Sequence, residues 1–203
     1  MNLVNEKIHA ELVTTEAKET MEGIYRLRNR VYAKEKGWAP DQSTGMEQDH
    51  YDNQNSIYVA VSAPVEDGAE RVMGCLRAIP LSFKVMLDDE FRSLIPGGTL
   101  IRESAIEITR IAVDKEYRRK GIDLYIYREL VRWSRENNII HWYFAVEPKY
   151  LLCLNRLGIE AVNIGEKFIF PDGVEVLAGY IDLPKVLEKL AINNPKLYRF
   201  IMD

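Results

Sequence analysis

A chain of 203 residues with 47% hydrophobic content is long enough to bury a core and short enough to form one domain. Its net charge of −4 carries no nucleic-acid signature, and no run of about 18 apolar residues suits a membrane span. Cys75 and Cys153, both among apolar neighbours, are too few for a disulfide framework, so a reducing, cytoplasmic setting is expected. The N-terminal MNLVNEKIHAEL lacks a basic-then-apolar signal pattern. His9, His50 and His141 lack metal-ligand spacing, and no metal is expected.

In chain order, residues 8–13 read as a short strand. Thr14 or Thr15 is placed to cap a helix that runs to about Gly37. Ala17, Met21, Ile24, Val31 and Tyr32 mark its apolar face, and Arg28 falls on that same face. Residues 38–55 form a long polar loop, of a length that is usually functional. Strands are expected near 56–62 and 72–80, joined by the hairpin loop APVEDGAER. Residues 85–95 predict a short amphipathic helix that Pro96, Gly97 and Gly98 break. A strand over 105–113 precedes the basic loop DKEYRRKG and a helix from about Gly121 to Asn137, with Leu124, Tyr127, Leu130, Val131 and Ser134 facing inward. Then come a strand over 140–146, a helix over 148–157 closed by Gly158, two or three short strands within 159–181, and a helical tail over 184–202 broken at Asn193–Pro195. The order predicts an α/β (α+β) fold, a mixed sheet with helices on both faces, in a single domain spanning 1–203.

Six charged residues fall where a fold does not tolerate them cheaply: Arg28, Asp49, Asp52, Arg77, Glu107 and Arg110. Charges in apolar runs must be paired, and paired charges in a cleft are candidates for chemistry. A separate feature, Arg118-Arg119-Lys120-Gly121, follows a buried strand and opens a helix, where backbone amides and basic side chains favour a phosphate. Residues 115–135 carry +4 while the rest of the chain carries −8, and Arg128, Arg132 and Arg135 share one helix face. Such a stripe suits an acidic partner or a solvated surface.

The loop resembles the R-x-x-G-x-G/A signature of the GNAT acyltransferase superfamily. Here Asp123 stands where a small residue is usual, which is less troublesome for the single phosphodiester of carrier-bound phosphopantetheine than for the pyrophosphate of coenzyme A. Upstream, Arg28-x3-Tyr32-x5-Trp38-x10-Asp49-x2-Asp52, then Arg77, Phe91 and Glu107-Ile-Thr-Arg110, is similar to the pattern of the acyl-homoserine-lactone synthase (autoinducer synthase) family, with Tyr32 in place of Phe. The segment HWYFAVEPKYLLCLNRLGIEAVNIG is more similar to long-chain N-acyl amino acid synthases and exosortase-associated acyltransferases.

These resemblances imply a GNAT-type three-layer fold with a splayed central strand pair and an N-acyltransferase. The enzyme would move a fatty acyl chain from an acyl-carrier-protein thioester, in preference to acyl-CoA, to the amine of an amino-acid-derived acceptor. The acceptor would be S-adenosylmethionine, giving an acyl-homoserine lactone, or a free amino acid. No permanently bound cofactor is implied. Glu107 would be the base that takes the amine proton, its apolar surroundings raising its pKa. Thr109 shares its face by alternation, whereas Arg110 points away unless a bulge intervenes, as is expected beside an active site. Arg28, Trp38, Asp49, Asp52 and Arg77 would bind the acceptor. Val113, Arg118, Arg119, Lys120, Gly121 and Ile122 would hold the phosphopantetheine, and Phe91 would line the acyl pocket. Trp38 and Phe91 are as readily explained as core. Attack is expected to be direct, since neither cysteine lies in these motifs. Leu154 occupies the position where related enzymes carry a tyrosine that protonates the leaving thiolate, and Tyr150 lies one turn earlier. The competing readings are an ordinary acyl-CoA-dependent acetyltransferase, which needs the loop to work despite Asp123, and a non-catalytic acyl-carrier or lipid-binding module, against which Glu107 and Arg110 argue.

Overall fold

In the computed structural model the described residues are 8–64, 70–95, 97–98, 100–170 and 173–203. Among the described residues eight strands form, β1 (His9–Val13), β2 (Ile57–Pro64), β3 (Glu70–Pro80), β4 (Ala105–Val113), β5 (His141–Val146), β6 (Val162–Asn163), β7 (Phe168–Ile169) and β8 (Glu175–Asp182), in the order β1-β2-β3-β4-β5-β8-β6, with β7 pairing β8 off this path. The chain divides into two compact units, residues 1–78 with 110–133 and residues 79–109 with 134–203, and β4 (Ala105–Val113) runs through both.

In the first unit β1 (His9–Val13), β2 (Ile57–Pro64) and β3 (Glu70–Pro80) form an antiparallel meander. The tip of the expected hairpin loop, residues 65–69, lies outside the described residues. Helix α1 (Lys18–Arg28) buries Met21, Ile24 and Arg28 from the stripe that the sequence spacing predicts, and also Tyr25 and Leu27, which that stripe did not include. Its start differs from expectation. The Ala17 amide bonds to the Thr14 carbonyl, a turn that delays the helix, so Ala17 becomes the N-cap and neither threonine caps it. From Asn29 to Glu35 the helix widens into a π-helix, with Lys36 as its C-cap and Gly37 following at φ of 68°. Met21, Ile24, Leu27 and Val31 pack with Tyr58, Ala60, Val72, Cys75 and Ala112 in one apolar cluster. Helix α2 (Ile122–Glu136) buries Ile122, Ile126 and Leu130. It lies close on β3 at Gly74, where a Cβ would fall 2.5 Å from Ile122 Cγ2.

In the second unit β4 pairs in parallel with β5 (His141–Val146), from Ala105↔His141 to Ile108↔Phe144. The described ladder stops there, although β4 continues through Thr109 and β5 through Ala145 and Val146. Strand β8 (Glu175–Asp182) pairs antiparallel with β5 and carries the two-residue strands β6 (Val162–Asn163) and β7 (Phe168–Ile169). Helices α3 (Pro148–Leu157), α4 (Leu183–Asn193) and α5 (Pro195–Met202) fall where expected; Gly158 closes α3 with φ of 87°. Cys153 is a correction: the apolar run Leu151–Leu154 wraps around α3, only Leu154 is buried, and Cys153 faces solvent.

The predicted helix over 85–95 is also corrected. Two single 3₁₀ turns, Met86–Asp88 and Arg92–Leu94, take its place. Val85, Met86 and Leu87 are consecutive and all buried, a pattern that one helix face cannot satisfy. Asp89, at φ −127° and ψ −90°, separates the turns. Pro96, one of the expected breakers, lies outside the described residues.

Candidate active site

The first unit gathers three arginines from its framework and three carboxylates from the 38–55 loop. Arg28, at the end of α1, forks onto Asp52 through Nη1 (2.7 Å) and Nη2 (2.9 Å), and its Nε donates to Glu47 Oε2 at 2.5 Å. Arg77 on β3 forks onto Asp49 (2.5 and 3.1 Å) and also reaches Asp52 Oδ1 at 2.9 Å. Arg110 on β4 donates from Nε to Glu47 at 3.1 Å and pairs through Nη2 with Asp49 at 2.8 Å. The Tyr58 hydroxyl and the Asp49 amide add donors to Asp52, both at 2.8 Å.

Arg28 and Arg77 have no exposed surface, and Glu47 is 2% exposed. Such burial is tolerable only because the guanidinium forks match carboxylate geometry and almost every charge finds its opposite. Burial alone would raise the Asp52 carboxyl; hydrogen bonding and charge from Arg28, with the Arg77 charge, outweigh it and hold Asp52 at about 2. Two members remain partly open, the Asp49 side chain at 16% and the Arg110 side chain at 18%. They are bonded to each other.

Arg110 takes φ of 52°, a left-handed residue inside a strand. That is the signature of a bulge, and it turns the side chain out of simple alternation toward Glu47 and Asp49. The carbonyls at the kink find side-chain donors: the Tyr32 hydroxyl bonds to Ile111 O at 2.6 Å and Cys75 Sγ lies 3.9 Å from Arg110 O. Burial pushes the Cys75 thiol up to about 12, a buried structural cysteine and not a nucleophile.

A profile of the autoinducer synthase family matches residues 12–185. The chain belongs to the autoinducer synthase family. It is therefore an acyltransferase. It is 27% identical over 151 residues to an acyl-homoserine-lactone synthase of Aeromonas salmonicida, covering 71% of this chain and 70% of that protein. In fold it is similar to a CoA-dependent acyl-homoserine lactone synthase solved with S-adenosylmethionine and isopentyl-CoA (TM-score 0.78, 18% identity, 91% of this chain and 88% of that one). It also shares its fold with an N-acyl amino acid synthase from uncultured soil microbes (TM-score 0.66, 15% identity, 92% and 99% covered).

Among the residues singled out from the family pattern, Arg28, Asp49, Asp52, Arg77 and Arg110 meet in the one network. Glu47 is the member that sequence reasoning missed. Its signal was weak, an acid in an acidic loop (GMEQDHYD), and only the convergence of Arg28 and Arg110 on it sets it apart. Trp38 is 39% exposed, with Lys36 Nζ 4.5 Å from its ring centre, so it is not core. In the second unit Glu107 is wholly enclosed, and its two oxygens accept the amides of Met86 (2.7 Å) and Leu87 (2.9 Å). These donors stabilise an ionised carboxylate and fix the turn that replaces the expected helix. Thr109 is half-buried. Phe91 packs edge-on against Phe170 at 6.0 Å.

In the 118–121 loop, Arg119 and Gly121 are left-handed with φ of 63° and 82°. Arg119 and Lys120 are exposed, the latter over the Tyr117 ring, and Val113 O accepts from Arg118 Nε. Ile122 is buried against Gly74. Burial raises the pKa of the Asp123 carboxyl at the start of α2, where the Leu124 amide bonds to Gly121 O at 3.0 Å. On the α2 stripe, Arg128 and Arg132 both pair with the buried Glu129, which neutralises part of the basic face.

Proposed function

We propose that residues 1–203 act as one acyltransferase that makes an N-acyl-homoserine lactone from S-adenosylmethionine and an acyl thioester. The observation that carries this reading is the half-open Asp49–Arg110 pair at the edge of an otherwise closed network of equal and opposite charges. An acceptor with an α-amino group and a carboxylate presents the complementary pair of charges, the amine to Asp49 and the carboxylate to Arg110. Trp38, exposed and next in the chain to the helix end, supplies a flat apolar surface for the rest of the acceptor.

The chemistry follows from the substrates. The acceptor amine attacks the thioester carbonyl, a C–N bond forms, and the C–S bond breaks to release the carrier thiolate, which takes a proton from water. In this reading the amine proton passes by way of water to Glu107, whose enclosed carboxylate does not touch the amine, and Thr109 and the bulged backbone at Arg110, further along β4, steady the carbonyl oxygen. The acceptor carboxylate then closes on its own γ-carbon and displaces methylthioadenosine, giving the lactone. Arg118, Arg119, Lys120 and Gly121 grip the donor phosphate, with Val113 and Ile122 shaping the loop, and Phe91 contacts the acyl chain. Asp123, an acidic side chain in the first turn of α2, opposes a bulky pyrophosphate and so favours the single phosphodiester of acyl-carrier protein over coenzyme A. The basic α2 face suits that acidic partner, and we place the reaction in the cytoplasm.

The test is mass spectrometry of the purified protein with S-adenosylmethionine and octanoyl-acyl-carrier protein. N-octanoyl-homoserine lactone is expected, and an octanoyl amino acid formed from a free amino acid would replace this acceptor with the other. Octanoyl-CoA, run in parallel, is expected to give the lower kcat/KM. Glu107→Gln should cut turnover by about 10²–10⁴-fold with donor binding retained. Near-normal turnover would remove Glu107 as the base.

A further inference from the structure

Arg118 is the side chain that the reading above gives to the donor phosphate, yet its guanidinium is already engaged. Nη1 and Nη2 donate to the two oxygens of Glu35, both at 2.6 Å, while Nε donates to Val113 O at 3.0 Å. All three nitrogens are thus in use, and the outward fork holds a carboxylate. Carboxylate and phosphate offer the same two-oxygen edge to a guanidinium, so they compete for one face. Glu35 lies 83 residues before Arg118, at the end of the π-helix, so the contact is a product of the fold and not of local sequence.

We propose that Glu35 is a gate on the phosphate site: it occupies Arg118 in the free protein, and the donor phosphate must displace it. Glu35 is then a positioning residue that sets donor affinity without touching the reacting atoms. The inference rests on the phosphate reading of Arg118. The side chains of Arg118 and Glu35 are 35% and 33% exposed, and ion pairs of that exposure are weak enough to be exchanged for a phosphate. Lys115 and Lys36 also act on Glu35, so the displaced carboxylate keeps basic neighbours and is not left uncompensated.

The test uses two probes that differ only in the phosphate, 4′-phosphopantetheine and pantetheine, titrated into the full chain by NMR. Glu35→Gln is expected to tighten 4′-phosphopantetheine about two- to five-fold and to leave pantetheine unchanged. Arg118→Ala is expected to weaken only the phosphorylated probe. If Arg118→Ala does so while Glu35→Gln matches wild type, the gate is overturned and the phosphate reading stands. If Arg118→Ala changes neither probe, the phosphate reading falls and the gate with it. An equal change in both probes for Glu35→Gln would mean a loosened loop, and would also overturn the gate.

Discussion

At the scale of single residues, the cost of Glu47 explains its use. A buried carboxylate with two arginines around it is the hinge of the charge network, since Arg28 and Arg110 both turn to it. Removing one member of a buried pair strands the others, and such changes cost about 3–5 kcal/mol. Glu47→Ala is therefore expected to lower the free energy of unfolding by about that amount in a urea titration. A loss within about 0.5 kcal/mol, the size typical of surface changes, would show that the network reorganises without Glu47. Arg28 and Arg77 stood out in the sequence because they interrupt apolar runs. Glu47 did not, because an acid among acids gives no pattern until its partners are placed.

At the scale of elements, the strands and helices followed hydrophobic period closely. β4 and α3 have the expected bounds. The failures share a cause, which is tertiary contact overriding local pattern. The π-widening after Arg28 has no sequence period of its own, yet it brings the Tyr32 hydroxyl onto Ile111 O and Glu35 onto Arg118. The turn at Met86–Leu87 looked helical, but its amides point at Glu107. The bulge at Arg110 was legible only through family resemblance. Close approach of α2 to β3 makes a sharper claim. Gly74→Ala would put a methyl 2.5 Å from Ile122 Cγ2 and 3.1 Å from Ile126 Cδ1. Overpacking of that kind costs about 1–3 kcal/mol. A chemical denaturation midpoint equal to wild type would mean that α2 shifts freely.

At the scale of the whole molecule, acid is the condition that the charges make most informative. Asp52 titrates at about 2 in the folded chain, against about 3.9 unfolded. A depressed carboxyl stabilises the fold when ionised, so its contribution, of order 2 kcal/mol, is complete above pH ~4 and is lost as pH falls toward 2. Asp114 is lowered as well: burial would raise it, but hydrogen bonding from Arg71 and the Glu116 amide, with the Arg71 and Arg30 charges, together outweigh burial; Glu35 is lowered by Arg118. Asp123 runs the other way: raised by burial, it favours the fold below its ordinary pKa and loses that share as pH rises. Asp182 is lowered too, hydrogen bonding and charge from Lys185 outweighing burial, and four lowered groups against one predict a urea midpoint that drops between pH 5 and pH 2.5. A flat midpoint across that range would count against the network's ionisation. The family and fold class were readable from spaced charges and element order. The detailed wiring was not, since it depends on which distant residues meet.

The charge network also bears on how the chain reaches its native state. Its bonds join residues 19, 24, 28 and 63 positions apart. Non-local contacts are the slow ones to form, because chain entropy must be lost before they reward it. The helix carrying Arg28 can form early, but the loop carrying Glu47 and Asp49 has no complete set of partners until Arg110 is in place on β4. Catalytic competence should therefore emerge in the last phase of refolding, after most helical structure has already returned.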